Sequence, residues 1–309
     1  MAAFTAKDVA ELRKQTGCGM MDCKRALEEA NGDLQEAIKI LREKGMAATA
    51  KKQSRIAAEG IVDILTVGNT TAMIEVNTET DFVAKNETFR AFVRAVLETI
   101  IATRPADVEE LMTKTMADGQ TVEAALQEKT YTIGEKLSLR RFVVVDGVVS
   151  TYVHGGGATG VIVSFAADAA VVANPAFAEF AKNVALQAAA MPAQYVDRDS
   201  VPAAVVEEER TILLHQMEQD EKMAGKPEKV LAGIVMGKLG KFFETVCLLE
   251  QAYVKDDSMK VAAYVKATAK ELGGDIKVLA FYRFDKGEGI QKREDDFAGE
   301  IAKMVGGSN

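Results

Sequence analysis

The stretch Thr78 to Phe89, TETDFVAKNETF, sets an acid, Asp81, beside a large aromatic, Phe82, just after a run, Ala72–Val76 (AMIEV), that reads as a buried strand. An aromatic gains by leaving water and a carboxylate loses by it, so the pair makes opposite demands on one short segment. One of the two is therefore expected to be there for a partner. Other groupings with chemical potential are weaker. His154 and His215 lie in separate segments, and there is no HExxH, nucleophile elbow or metal-ligand cluster. Asp295–Asp296 and Glu207–Glu209 fall on expected helix faces without an apolar pocket, and read as solvated acids. Gly155–Gly160, GGGATG, has the form G-x-G-x-x-G, but VIVSF follows where a pyrophosphate site needs a helix N-terminus, so a hairpin turn is expected. No Walker loop is present. His154 ends a strand beside three glycines and stays divided between an interface and a structural role, while His215, among Leu213, Leu214 and Met217, reads as hairpin packing. The expectation is a protein that is not an enzyme and needs no cofactor or metal of its own.

These residues have to be positioned by a largely helical chain. Thr5 caps a first helix bearing Val9 and Leu12, a second runs from Met20 through Leu27 to Asn31–Gly32, and Asp33 caps a third with Leu34, Ile38 and Leu41 on one face. Lys51, Lys52 and Arg55 follow in a polar segment expected to be a linker. GIVDILTVGNTTAMIEVN then predicts two strands around Gly68–Asn69, and Phe89, Phe92, Val93, Val96 and Leu97 an amphipathic helix. Helices over 107–116 and 122–133 lead to the strand LSLRRFVVV. VVEEERTILLHQMEQDEKM and EKVLAGIVMGKLGKFFETV, joined by a Gly/Pro loop, predict an antiparallel helical hairpin with an apolar stripe of Ile212, Leu213, Met217, Val230, Ile234 and Leu239. A helix over Lys260–Leu272, the strand IKVLAFYRF and a terminal helix in EDDFAGEIAKM complete the chain.

The middle of the chain repeats itself. VVSTYVHGGGATGVIVSF is again strand, turn, strand, and an offset of 88 residues pairs Asn86 with Asn174, Phe89 with Phe177, Phe92 with Phe180 and Val96 with Val184. At the same offset Asp81 and Phe82 meet Ala169 and Ala170. Framework positions are kept in both copies and the acid–aromatic pair is not, which weakens a purely structural reason for it, although two copies can diverge.

Bulk properties narrow the function. A net charge of -8 argues against a nucleic-acid-coating protein, which needs clustered Lys and Arg, and fits a protein partner. Three cysteines at spacings that match no zinc signature read as free thiols in a reducing compartment. No apolar run approaches a membrane span and the N-terminus enters a helical pattern directly, so a cytoplasmic protein is expected.

Several stretches, in order, carry a family likeness. LRKQTGCGMMDCKRALEEANGDLQEAIKILREKG resembles the three-helix, ubiquitin-associated-type (UBA-like) domain that opens the bacterial elongation factor Ts family. EVNTETDFVAKNETF is similar to that family's second signature, and YVHGGGATGVIV, GKPEKV and RFDKGEGIQKREDDFAGEI resemble its later landmarks. Departures lie in the length around the two core halves and in the glycine-rich GGGATG turn.

The resemblance implies an α+β fold: an N-terminal three-helix UBA-like domain, a duplicated α+β core with antiparallel sheets, an inserted antiparallel helical hairpin and a C-terminal helical module. The expected boundaries are 1–55 for the helical domain and linker, 56–146 for the first core half, 147–196 and 242–286 for the second, 197–241 for the hairpin and 287–309 for the C-terminal module. It also implies a guanine-nucleotide exchange factor for elongation factor Tu, binding it with GDP and nucleotide-free. The first domain and first core half would meet Tu's nucleotide-binding domain, the second half its third domain, and the terminal helix another side. The hairpin is a candidate homodimer surface, and neither nucleic acid nor membrane is a direct partner. The family's Mg²⁺-displacing segment falls on Thr80, Asp81, Phe82 and Val83, and its other contact positions on Lys24, Ile133, Gly134 and His154. The reading from another class is a non-catalytic helical adaptor or chaperone-like partner-binding protein. A pull-down separates the two, since an exchange factor retains Tu and releases it on adding GTP.

Overall fold

In the computed structural model, residues 4–220 and 226–291 are described, apart from the side chains of 46–51. They form two compact units: one holds the chain up to Asp63, Ile74–Phe142 and the chain from Asp285 onward, the other Ile64–Met73 and Val143–Phe284. The expected terminal helix in EDDFAGEIAKM lies outside the described residues.

The first three helices are α1 (Ala6–Thr16), α2 (Met20–Glu29) and α3 (Leu34–Lys52). Thr5 and Asp8 cap α1 reciprocally, Asp8 N–H donating to the Thr5 hydroxyl at 3.4 Å and Thr5 N–H to the Asp8 carboxylate at 2.7 Å. Gly17, at φ 67°, ends the helix in the left-handed conformation that costs glycine no Cβ strain. Asp33 accepts from Gln35 N–H at 2.8 Å and Glu36 N–H at 2.9 Å, starting α3 as its spacing predicts. Val9, Leu12, Cys23, Leu27, Ile40 and Leu41 close the bundle core. The segment expected to be a linker is instead helical as far as Lys52. Lys52 Nζ donates to the Thr130 carbonyl at 3.1 Å, so a nearby helix supplies a hydrogen-bond partner that the sequence window does not reveal.

The first core half runs β1 (Glu59–Val67), β2 (Thr70–Thr78), α4 (Asp81–Ala84), α5 (Glu87–Thr103), α6 (Val108–Thr113), α7 (Val122–Ile133) and β3 (Ser138–Asp146), with sheet order β1-β2-β3. The second runs β4 (Val148–His154), β5 (Thr159–Ala167), α8 (Ala169–Val172), α9 (Pro175–Ala190), α10 (Ala203–Glu218), α11 (Glu228–Val246), β6 (Ala252–Tyr253), β7 (Asp256–Lys260), α12 (Val261–Leu272) and β8 (Ile276–Asp285), with sheet order β4-β5-β8. Each half is thus hairpin, single helical turn, long helix, further helix and returning strand. The fold is α+β with a duplicated core, and α10, α11 and the β6–β7 ribbon stand where the first half has only α6.

The same side chains build both halves. Asn86 and Asn174 cap α5 and α9, accepting from Thr88 N–H at 2.8 Å and Ala176 N–H at 3.0 Å. Phe89 and Phe92 are buried at the start of α5, and Phe177 and Phe180 at the start of α9, where Phe177 meets Phe165 edge-on at 5.7 Å. The helix expected over 107–116 stops at Thr113 because Asp118–Gly119 turns the chain: Met116 N–H donates to Gln120 O at 2.8 Å, and Thr115 bridges to Thr121. The ribbon β6–β7 was not expected from the sequence; its strands are too short to show a period.

α10 and α11 pack along Leu213, Met217, Val235 and Leu239, flanked by Val206, Leu231, Ile234 and Phe243. Two members of the expected stripe, Ile212 and Val230, are exposed instead. His215 is exposed too, and its expected packing role does not hold. It sits two residues past Leu213, about 200° round the helix from that seam. Cys18, Cys23 and Cys247 are buried free thiols, and burial pushes Cys247 up to about 11. Among the described residues no helix is long and apolar enough to cross a membrane.

In the first unit a buried carboxylate fixes the turn that follows β8. Glu75, fully buried on β2, accepts from Arg140 at 2.9 Å, Arg141 at 2.7 Å, Asn77 at 3.1 Å and Gly287 N–H at 2.7 Å. Burial by itself raises its pKa, but the bonds from Gly287, Arg140, Asn77 and Arg141 outweigh it and hold the carboxyl below the ordinary range. Gly287 has φ 70°, and a Cβ there would collide with the Ala58 carbonyl, so only glycine fits.

Candidate functional site

Four residues, Asp81–Ala84, make one turn of helix, too few to be stable alone because nucleation fixes several dihedrals for one hydrogen bond. The turn persists because its ends are held. The Thr80 hydroxyl accepts from Val83 N–H at 3.5 Å, Thr78 Oγ1 donates to Thr80 O at 2.8 Å, and Ala84 is buried beneath. At the far end Asn86 N–H donates to Val83 O at 2.9 Å and Arg90 Nε to Ala84 O at 3.1 Å.

This turn points Phe82 outward, leaving it 80% exposed. Desolvating a phenylalanine is worth about 2 kcal/mol, so Phe82 is a stored driving force for any surface that covers it. Asp81 stands beside it, its carboxylate accepting from Lys85 Nζ at 2.6 Å. That hydrogen bond holds Asp81 below the usual carboxylate range, so it is an anion at neutral pH. Val83 is half-buried and Thr80 is the N-cap. The conflict between acid and aromatic in the sequence is resolved with both side chains reaching solvent.

The structure joins this turn to two other expected contact positions. Ile133 ends α7, and Gly134, at φ 89°, reverses the chain. Glu135 then receives Thr80 N–H at 3.0 Å and the Thr80 hydroxyl at 2.6 Å. In the opposite sense Glu79 receives Lys136 N–H at 2.6 Å and Arg55 Nη1 at 3.2 Å. Lys136 Nζ donates to the carbonyls of Gln53 at 2.6 Å and Arg55 at 2.8 Å. Glu79 and Glu135 were missed in the sequence, and no spacing signal could have found them: Thr80 and Glu135 are 55 residues apart.

Lys24 lies on α2 with its ammonium 3.7 Å from Glu28, in the same unit. His154 belongs to the other unit. It is exposed at the end of β4, its Nδ1 3.0 Å from the Tyr152 hydroxyl. Gly155, Gly156 and Gly157 all have positive φ, and the antiparallel register pairs His154 with Thr159 on β5. A strand therefore follows GGGATG, as its pattern predicts, and no helix N-terminus is there to meet a pyrophosphate. Among the described residues no group of three or more His, Cys, Asp or Glu is placed to hold a metal ion.

Fold and site together define a duplicated α+β protein with helical additions, whose most prominent chemical feature is an exposed aromatic beside an anion. The family model described as Elongation factor TS matches residues 79–288, from Glu79 at this turn to Glu288 beside the buried Glu75, and the chain belongs to that family. Its role is that of a translation elongation factor of the Ts type.

Proposed function

We propose that this chain binds elongation factor Tu, dislodges the Mg²⁺ ion that Tu holds with GDP, and speeds GDP release so that GTP can bind. What supports this reading is Phe82, 80% exposed on a turn held from both ends, within a chain of the Ts family. Thr80, Asp81, Phe82 and Val83 form the working segment. Phe82 enters an apolar gap between elements of Tu, and packed interfaces answer such a wedge by discrete repacking. Asp81, anionic and adjacent, competes for the groups that hold the cation or the phosphates. With the cation gone the phosphate charge is poorly balanced and the nucleotide leaves. A factor that prefers nucleotide-free Tu must weaken GDP binding by the same ratio, and excess GTP sets the direction.

Lys24, Ile133 and Gly134 add contacts from the first unit and His154 from the second. In this reading the three-helix bundle is a UBA-like module, with 1–55, 56–146, 147–196 with 242–286, 197–241 and 287–309 as the functional modules. The hairpin is the surface for self-association. The setting is the cytoplasm, with no cofactor and no nucleic-acid or membrane partner.

The test is GDP release from Tu loaded with fluorescent GDP. Phe82→Ala should slow release by tenfold or more, about 1.4 kcal/mol of barrier, while weakening complex formation less. Equal release rates for variant and wild type overturn the reading.

A further inference from the structure

Phe82 is exposed, yet a side chain on a four-residue helix is a wedge only if the helix stays formed while the ring is pressed into a partner. At the start of that helix one hydroxyl and one amide, both of Thr80, are bound by a single carboxylate. Glu135 takes the Thr80 N–H at 3.0 Å on one oxygen and the Thr80 hydroxyl at 2.6 Å on the other. Because the hydroxyl hydrogen is committed to Glu135, the lone pairs of the same oxygen face Val83 N–H and cap the turn. The carboxylate is itself fixed in place. Gly134 sets its direction by a left-handed turn, and the next residue, Lys136, is tied through its N–H to Glu79 and through its ammonium to Gln53 and Arg55. Glu79 and Glu135 thus bind each other's loops crosswise.

We propose that Glu135 is a positioning residue for nucleotide exchange. It locks the Thr80 cap and keeps the Asp81–Ala84 turn formed, so that Phe82 is held outward. The proposal rests on the exchange reading above. It predicts that loss of Glu135 acts only through Phe82. Glu135→Gln keeps the size of the side chain and one accepting oxygen, but its amide nitrogen cannot accept the second Thr80 bond.

Two measurements on the full chain test this. In the first, GDP release from Tu is compared for wild type, E135Q, F82A and the E135Q/F82A double variant. Loss of a hydrogen bond to a charged group makes E135Q about tenfold slower than wild type, and the double variant no slower than F82A alone. A rate for E135Q equal to wild type, or an equal slowing by E135Q with and without Phe82, overturns the proposal.

The second measurement needs no Tu. The sequence contains no tryptophan, so Phe82→Trp reports on this turn alone. Its fluorescence anisotropy should fall when E135Q is added and fall likewise with Thr80→Val, which deletes the hydroxyl and leaves the carboxylate. Unchanged anisotropy in both overturns the clamp. Should F82A release GDP as fast as wild type, the exchange reading fails and the anisotropy result still decides the clamp.

Discussion

In α4 the outward position holds Phe82, 80% exposed, and at the same place in α8 stands Ala170, also exposed. One position later Val83 is half-buried, while Val171 is 1% exposed within its core. The cap contacts run in opposite senses. In the first half the loop after α7 sends a carboxylate, Glu135, to Thr80. In the second the cap residue Asp168 is the acceptor, taking Asp275 N–H at 3.2 Å from the loop after α12. Gly274 closes that contact, since a Cβ there would lie 2.6 Å from a Val171 methyl and 2.7 Å from the Asp168 carboxylate. The second half ties its turn down through a backbone donor and a buried Val171, and the first holds its turn through a side-chain carboxylate. A duplicated scaffold can therefore carry an exposed aromatic in one copy without cost to the other, because the outward position contributes nothing to either core.

That comparison has measurable consequences. Phe89→Ala and Phe177→Ala remove corresponding core rings and should each cost about 3–5 kcal/mol in urea denaturation. A large inequality would mean that the two cores are not equivalent.

The β2 strand differs more sharply from its counterpart β5. Glu75→Gln breaks a buried pair and should cost about 3 kcal/mol or more, whereas Ser164→Ala removes a single bond to Ala280 O, 3.3 Å long, and should cost about 1 kcal/mol. Since the folded pKa of Glu75 lies below the unfolded value of about 4.3, its stabilisation is present above that value and lost as pH falls through the folded one. Unfolding followed from pH 7 into the acid range should show this loss in wild type and a flatter profile in the Gln variant.

Smaller still, Asn86→Ala and Asn174→Ala should each cost about 1 kcal/mol as lost N-caps, read by thermal melting. Smallest in stability are the outward positions themselves: Phe82→Ala and Ala170→Phe should each fall within about 0.5 kcal/mol of wild type. Ala170→Phe should also leave GDP release unchanged, and a gain would show that any aromatic at this place suffices.

Much of the fold was legible because it is local. Asn86 and Asn174, the glycine turns and the spacing of Phe89 and Phe92 act within one helix or hairpin, and their periodicity writes them into neighbouring residues. The duplication was legible for the same reason. The site was legible only in part: Asp81 and Phe82 stood out as a pair absent from the second copy, but nothing nearby marked Glu135 or Glu79. His215 was misplaced because an apolar neighbourhood in sequence is not one in space once a helix turns by about 100° per residue.

The sequence by itself determined most of the helices and strands, the caps at Thr5 and Asp33, and the acid–aromatic pair that one copy carries and the other lacks. Tertiary structure alone decided that Phe82 is exposed rather than buried, that Glu135 grips Thr80 from 55 residues away, and that Glu75 meets Gly287 from 212. A helix or strand follows from torsions and periodicities within a few residues. A carboxylate finds its donors only when chain closure brings distant loops within about 3 Å, and no local pattern encodes that distance.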